Sequence, residues 1–522
     1  MISEGTPRSS AAKFRGVIKR SRSYHLLFLL LFALMTRSGV FFHLDTVTLG
    51  WRQADLSSVA MNYLHNGFRF LYPQIDWGGA GPGFVEMEFP ILPYLTALFY
   101  QAFGVHEIWA LVIPFLCGLG VVIAVYKLSE RLYDSAVAFV AALLVCCSPL
   151  LALASQTFLG EPALILCSLL SIHFLLRWTD ADRISDYVIS IVFTALAALL
   201  KLTALYIGLP LLGLFVVKYG RDTFKRLPFW LFGILSLLPV ALWYYHSHTL
   251  YATYGNTFGI LSGGYNKFAR AGLLLDVNFY VLMGKRILLS VSSPVVFLLA
   301  VSGLFHPPMK RTTFVLFAWA VALIVYTLAI AEGNKDMIYY QLPWLPALAI
   351  LGSVGLFFVI EGVVRMPLLA HSQSMQSLLI LLLCLLVASS AVGVAIRSAR
   401  VPITFLESEA HIRAYAEEVK SVTKEGSLIV VATSYGNEKT PETIDTPPQM
   451  FYFSGRRGWY LSLAWVTPEA IDHLVAQGAK HFVVFGGDVE NLRSNALLYE
   501  RLVSMYHLII GRTDLLVFRL AG

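Results

Sequence analysis

Between residues 43 and 90 the sequence gathers His43, Asp45, the run Trp51-Arg52-Gln53-Ala54-Asp55, Asp76, a glycine-rich run from Gly78 to Gly83, and the segment FVEMEFPILPYL (84–95), which carries Glu86 and Glu88. Asp45, Asp55, Glu86 and Glu88 are the carboxylates that could take a proton from a reacting hydroxyl. Arg52 adds a planar cation suited to an anionic group. These charges sit in a chain that is 57% hydrophobic and only 14% charged. Charges beside apolar segments persist when they are hydrated, paired or used.

Three further groups lie outside this stretch. Lys201 interrupts an apolar run at the outer end of a predicted span, where it either binds an anion or snorkels to the headgroups. Tyr339-Tyr340-Gln341 opens a late apolar run, as a groove lining or as an ordinary aromatic belt. Glu161, just ahead of another apolar run, reads as an interfacial acid. His246 and His248 have strand-like spacing, but a metal site needs a third ligand that the sequence does not identify, so no metal ligands are assigned.

The elements that must position these residues are membrane helices. A mean hydropathy of +0.68 over 522 residues excludes a soluble globular enzyme and a disordered chain. Apolar runs near 24–42, 107–126, 136–154, 162–178, 186–200, 203–217, 228–245, 287–305, 313–331, 342–362 and 376–396 make about eleven spans. The cysteines Cys117, Cys146, Cys147, Cys167 and Cys384 all fall within them and read as small core residues. The net charge of +7 is dispersed in short clusters beside spans, which argues for topology and against a nucleic-acid partner.

Arg8, Lys13, Arg15, Lys19, Arg20 and Arg22 place the N-terminus in the cytoplasm. Alternation from there puts Lys127 with Arg131, Arg177 with Arg183, the Lys218–Arg226 cluster, Lys310 with Arg311, and Arg365 on the cytoplasmic side. Residues 43–106, 246–285, 332–341 and everything after about 397 fall outside, with Arg397 and Arg400 against the rule. The first span is too long for a signal peptide and lacks its cleavage pattern.

The predicted organisation is a basic cytoplasmic segment (1–23), a transmembrane domain (24–397) with a large outer loop (43–106), and an extracytoplasmic α/β domain (398–522). In the tail, ESEAHIRAYAEEVKSVTKEG (407–426) has helical period, SLIVVAT and HFVVFG read as buried strands, Thr467-Pro468-Glu469 opens a helix, and LLVFRL makes a further strand. Its charges lack catalytic spacing, so it reads as a scaffold or acceptor-docking domain. In the loop, a helix is predicted from Asp55 to Gly67, with Asp55 at its N-terminal turn. That position also makes Asp55 a plausible cap. The segment 91–104 is too short to span and reads as interfacial.

With the acidic outer loop, the WRQAD helix start, EFP-x-x-x-Y (Glu88 to Tyr94), GNKDMIYYQLPWLPALAIL (333–351) and FYFSGRRGW (451–459) in view, the sequence resembles the GT-C superfamily of integral membrane glycosyltransferases. The similarity is to the branch with glycosyltransferase family 39, the protein O-mannosyltransferases, and the bacterial lipid A aminoarabinose transferases. It implies a multi-pass protein of a bacterial cytoplasmic (inner) membrane. The implied reaction moves a sugar from a polyprenyl-phosphate donor to a glycan, lipid or protein acceptor on the outer face, without a nucleotide sugar. The sequence fits this, since it lacks a nucleotide-type glycine loop and a DxD in the outer loop.

Displacement at the anomeric carbon needs a base for the acceptor hydroxyl and cations for the departing phosphate. The family's adjacent Asp-Glu pair in the first loop is missing, and Arg52 and Gln53 occupy its place. The base is therefore sought among Asp55, Glu88, Asp45 and Glu86, in that order for the first two. Arg52 and Lys201 are the phosphate candidates, and Arg52 could instead be the structural partner of Asp45 or Asp55. Trp51, Gln53, Tyr339, Tyr340 and Gln341 are groove candidates. No cofactor is specified, and a divalent metal is left open. The competing class is a transporter or flippase of lipid-linked saccharides, disfavoured because no repeated half is visible and the charge is concentrated in one outer loop.

Overall fold

The computed structural model describes residues 10–37, 50–263, 266–305, 314–366, 372–399, 401–434 and 448–520, with the side chains of 397–410 excepted. The chain divides into two compact units. The first comprises Met1–Phe42, Leu111–Ala241 and Asn266–Pro402, and the second His43–Ala110, Leu242–Tyr265 and Ile403–Gly522. Residues 43–110 and 242–265 thus group with 403–522.

The first unit is a bundle of apolar helices. Among the described residues, Ile108–Leu132, Glu161–Ala181, Leu202–Lys225, Leu227–Tyr254, Ile338–Val364 and Gln373–Ile396 are long and apolar enough to cross a membrane. Val277–Val291 and Pro294–Leu304 form a further pair bent by 102°. This is a multi-pass membrane protein, with six or seven such spans among the described residues and shorter apolar helices at Ser135–Cys146, Ile184–Leu200 and Phe314–Ala329, where the sequence predicted further spans. The run at 136–154 is split at Cys147-Ser148, where Ser148 caps a new helix and Pro149 cannot continue the old one. The predicted runs 186–200 and 203–217 are separated at Lys201, which is extended.

Broken helices need other donors and acceptors in an apolar setting. Ser148 Oγ supplies one, donating to the Val291 carbonyl beside the bent pair at 2.8 Å. Helix Pro294–Leu304 lies directly on Trp344–Val364: a Cβ on Gly355 would stand 1.8 Å from the Leu299 carbonyl oxygen, and one on Gly303 2.2 Å from that of Leu351. Small residues at that seam let the two backbones touch, the usual source of helix affinity where no hydrophobic drive exists.

In the second unit, helix Trp51–Asn66 packs against helix Ile91–Phe103. A two-residue parallel pair joins β1 (Val85–Glu86) to β2 (Asn256–Thr257). The tail holds β3 (Leu428–Thr433), β4 (Arg457–Ser462), β5 (Ala479–Phe485), β6 (His507–Gly511) and β7 (Leu515–Arg519) in the order β4-β3-β5-β7-β6. The first three are parallel and β7 is antiparallel to both its neighbours.

Period-two alternation gives this sheet two apolar faces. Val430, Phe482, Val484, Leu516 and Phe518 point to one, where Ile471, Val489 and Leu502 cover them. Ile429, Val431, Val483 and Val517 point to the other, against Ala416, Val419, Met450 and Phe451, with Trp77 of the first loop packed on that cluster.

The free side of β4 is covered. Gly458 N–H donates to the Asp76 carbonyl at 2.9 Å and Gly79 N–H to the Gly458 carbonyl at 2.7 Å. Arg457 Nη2 adds a bond to the Gly81 carbonyl at 2.7 Å. Gly79 adopts φ +71°, and a Cβ there would lie 2.5 Å from Trp459 Nε1, so the close approach needs glycine. An exposed edge strand invites foreign pairing, and the loop removes that hazard.

Candidate active site

Helix Trp51–Asn66 starts one turn earlier than the sequence suggested, with Gly50 as its cap residue. Asp55 therefore lies in the second turn and caps nothing, so the capping alternative falls. Instead it lies 3% exposed on an inner stripe with Ser58 and Asn62, residues spaced i, i+3 and i+7 along one helix face. Ser58 Oγ and Asn62 Nδ2 donate to the two oxygens of Asp76 at 2.6 and 2.8 Å.

Trp77 Nε1 donates to Asp55 Oδ1 at 3.0 Å. Burial pushes the Asp55 carboxyl up to about 7, opposed by the Arg52 charge and the indole bond and assisted by the negative charges of Asp76 and Glu88. Burial likewise raises Asp76, against its bonds from Ser58 and Asn62.

Arg52 forms an ion pair with Glu88, not with Asp55. Its guanidinium stacks 4.2 Å from the centre of the Phe258 ring, which in turn lies 6.3 Å from the ring of Trp77. Asp55, Trp77, Phe258, Arg52 and Glu88 thus form one continuous cluster. Trp51 and Gln53 are half-buried on the first turn of the same helix.

Glu86 is different. It is fully buried and accepts from Thr257 Oγ1 at 2.5 Å, Ser262 Oγ at 3.0 Å and the Ser262 amide at 3.2 Å. With its oxygens hydrogen-bonded and no solvent contact, Glu86 ties β1 to the 256–262 segment. Asp45 and His43 lie outside the described residues. His246 and His248 are on helix Leu227–Tyr254, where two positions differ by about 200°. His246 bonds the Leu71 carbonyl at 2.8 Å and His248 meets Ser262 Oγ at 2.9 Å. Among the described residues no three His, Cys, Asp or Glu side chains come together as a metal site.

In the first unit, Lys201 sits at the junction between helix Ile184–Leu200 and the 3-10 turn Leu202–Ile207. Its ammonium is 2.7 Å from Glu161 Oε1 and lies over the rings of Tyr340 and Tyr339, at 4.2 and 4.8 Å from their centres. Glu161 is the partner of Lys201. Gln341 is wholly buried and donates to the Asn334 carbonyl at 2.8 Å. Arg52 and Lys201 fall in different units.

Two groups escaped the sequence reading. Trp77 carried a signal, an aromatic flanked by Asp76 and the glycine run. Arg37 is fully buried at the end of helix Arg22–Arg37, with Nη2 on the Val145 carbonyl at 3.3 Å and Nη1 on Thr36 Oγ1 at 2.8 Å. Its only signal was a cation inside an apolar run.

The model of the family described as dolichyl-phosphate-mannose-protein mannosyltransferase matches residues 87–246. YycA of Bacillus subtilis (strain 168), provisionally named a mannosyltransferase, is 26% identical over 159 residues, a match covering 30% of this chain and 22% of that protein. In three dimensions the chain is similar to ArnT from Cupriavidus metallidurans bound to undecaprenyl phosphate. The TM-score is 0.62 at 15% identity, covering 95% of this chain and 98% of that one. The chain resembles the GT-C membrane glycosyltransferases. A second solved structure extends this: the oligosaccharyltransferase AglB from Archaeoglobus fulgidus, in complex with an inhibitory peptide and a dolichol-phosphate, has a TM-score of 0.58 at 12% identity, covering 89% and 69% of the two chains. At these identities the likeness is one of fold, and function must be argued from the site.

Proposed function

We propose that this protein is a glycosyltransferase that moves a sugar from a polyprenyl-phosphate donor to an acceptor hydroxyl on the extracytoplasmic face of a bacterial inner membrane, with inversion. The observation that carries it is Asp55, a buried carboxyl pushed up to about 7 beside a cation and an indole donor. A base works best with a pKa near the working pH. Glu88 stands second, as the carboxylate paired with Arg52. The fold shared with a protein solved with undecaprenyl phosphate supports the lipid donor.

In the proposed step Asp55 takes the acceptor proton, the acceptor oxygen attacks the anomeric carbon from the side opposite phosphate, and the carbon–oxygen bond to phosphate breaks. The electron pair leaves on the polyprenyl phosphate. Arg52 is the phosphate candidate of the second unit and Lys201 that of the first. Each lies against a carboxylate and an aromatic face, and guanidinium and ammonium donors both suit a phosphate. Trp51 and Gln53 in the second unit, and Tyr339, Tyr340 and Gln341 in the first, are the candidates for lining the approach of the lipid-linked sugar. The N-terminus is cytoplasmic and residues 398–522 are extracytoplasmic.

The deciding experiment supplies purified protein in bacterial membranes with radiolabelled polyprenyl-phosphate sugars and scores label in lipid, glycan and protein fractions. Label in an acceptor fraction, lost in Asp55→Asn, is the expected result. Movement of intact lipid-linked sugar across the bilayer without bond cleavage would instead favour a flippase.

A further inference from the structure

Trp77 joins the tail sheet to the WRQAD helix. Trp77 packs on the apolar face built from Ile429, Val431 and Phe451 while its Nε1 donates to Asp55 Oδ1 at 3.0 Å. The backbone on either side of it is pinned to the sheet: Asp76 and Gly79 exchange bonds with Gly458 of β4, and Arg457 holds Gly81. An indole gripped in this way has little freedom to rotate off the carboxylate.

We propose that the tail sheet acts on the reaction through Trp77. By pairing β4 with the segment Asp76–Gly79, the sheet holds the indole N–H on Asp55, making Trp77 a positioning residue that sets the orientation and basicity of the base. This rests on Asp55 being the base, and it assigns the tail a task within the chemistry beyond scaffolding or acceptor docking.

The charged groups facing Asp55 are Arg52 on its own helix, Asp76 on the loop and Glu88 on the EFP segment. Asp76 is faced in turn by Arg457 and His65. A hydrogen bond to the ionised carboxylate lowers its pKa, so removing the indole donor should raise it. Merely filling space would have no such signature, since a phenyl ring packs almost as well.

The test reads the Asp55 carboxyl directly, without any substrate. Full-length protein labelled with carboxyl-13C aspartate is placed in lipid nanodiscs, and the protonated-carboxyl infrared band is titrated, with Asp55→Asn subtracted to assign it. The parent midpoint is expected at about 7. Trp77→Phe should move it up by about one unit, the scale of a lost charge-assisted bond. Gly79→Ala, which pushes the loop off Trp459 and so loosens the hold on a Trp77 that is still present, should move it in the same direction. Thermal melts of each variant confirm that the protein is folded.

An unchanged midpoint in Trp77→Phe would overturn the donor role. A shift in Trp77→Phe with none in Gly79→Ala would overturn control by the sheet. Either failure is distinct from failure of the base assignment, which is read from the turnover of Asp55→Asn.

Discussion

Lys201 and Glu161 form an ion pair of 2.7 Å at a helix break, roofed by Tyr339 and Tyr340. Both side chains are largely buried, so removing one partner leaves the other uncompensated. Lys201→Gln is therefore expected to lower turnover by roughly 10²-fold or more and also to reduce folded yield. Lys201→Gln with Glu161→Gln should recover yield but not turnover. Recovery of both would make the pair purely structural.

Replacing Asp55 with Asn keeps its size and removes its basicity. Turnover per folded molecule should fall by about 10²-fold or more, against smaller losses in Glu88→Gln. A full retention of activity in Asp55→Asn with loss in Glu88→Gln would transfer the role to Glu88.

The pH dependence follows from the same residue. A base must be ionised, so turnover should rise with pH and level off above about 7, the Asp55 value. The sign for stability is opposite. A folded carboxyl whose pKa is raised binds its proton where the unfolded chain has released it, so stability falls as pH rises from about 4 to about 7. Asp55→Asn should thus melt higher than the parent at pH 8, by a ceiling of about 4 kcal/mol, and equal it at pH 4. Paired melting curves at the two pH values check this.

Glu86→Gln tests the opposite assignment. Its carboxylate accepts three bonds without solvent contact, so the substitution should cost about 1–3 kcal/mol of stability while leaving the pH profile of the remaining activity unmoved. A displaced profile would bring Glu86 back among the titrating groups.

Reporter fusions after Arg226 should read as cytoplasmic, and those after Asp76 and Gly458 as external. An external signal at Arg226 would reverse the proposed orientation.

Much of the site was legible in local sequence, and its limits are physical. Asp55, Arg52 and Glu88 stood out because charges among apolar segments are costly. The start of the helix that carries Arg52 and Asp55 was misplaced because Trp51 to Ala54 hold no cap signal, whereas Gly50 takes the cap position. The inner stripe of Asp55, Ser58 and Asn62 was present at helical spacing, yet its meaning depended on Asp76, which no periodicity reveals. Trp77 was hidden for a stronger reason: its position follows from pairing between Gly79 and Gly458, at opposite ends of the chain. The run at 136–154 looked continuous in composition, yet Ser148 interrupts it.

The covering of β4 by Asp76–Gly79 bears on how the tail can be handled apart from the membrane. Cut out as residues 403–520, it would bare the backbone of Gly458 together with the apolar ground on which Trp77 rests. Such fragments would stack through that margin and precipitate. Grafting residues 72–83 onto the fragment through a flexible tether would restore its own lid, and is the route to a monomeric antigen from this protein.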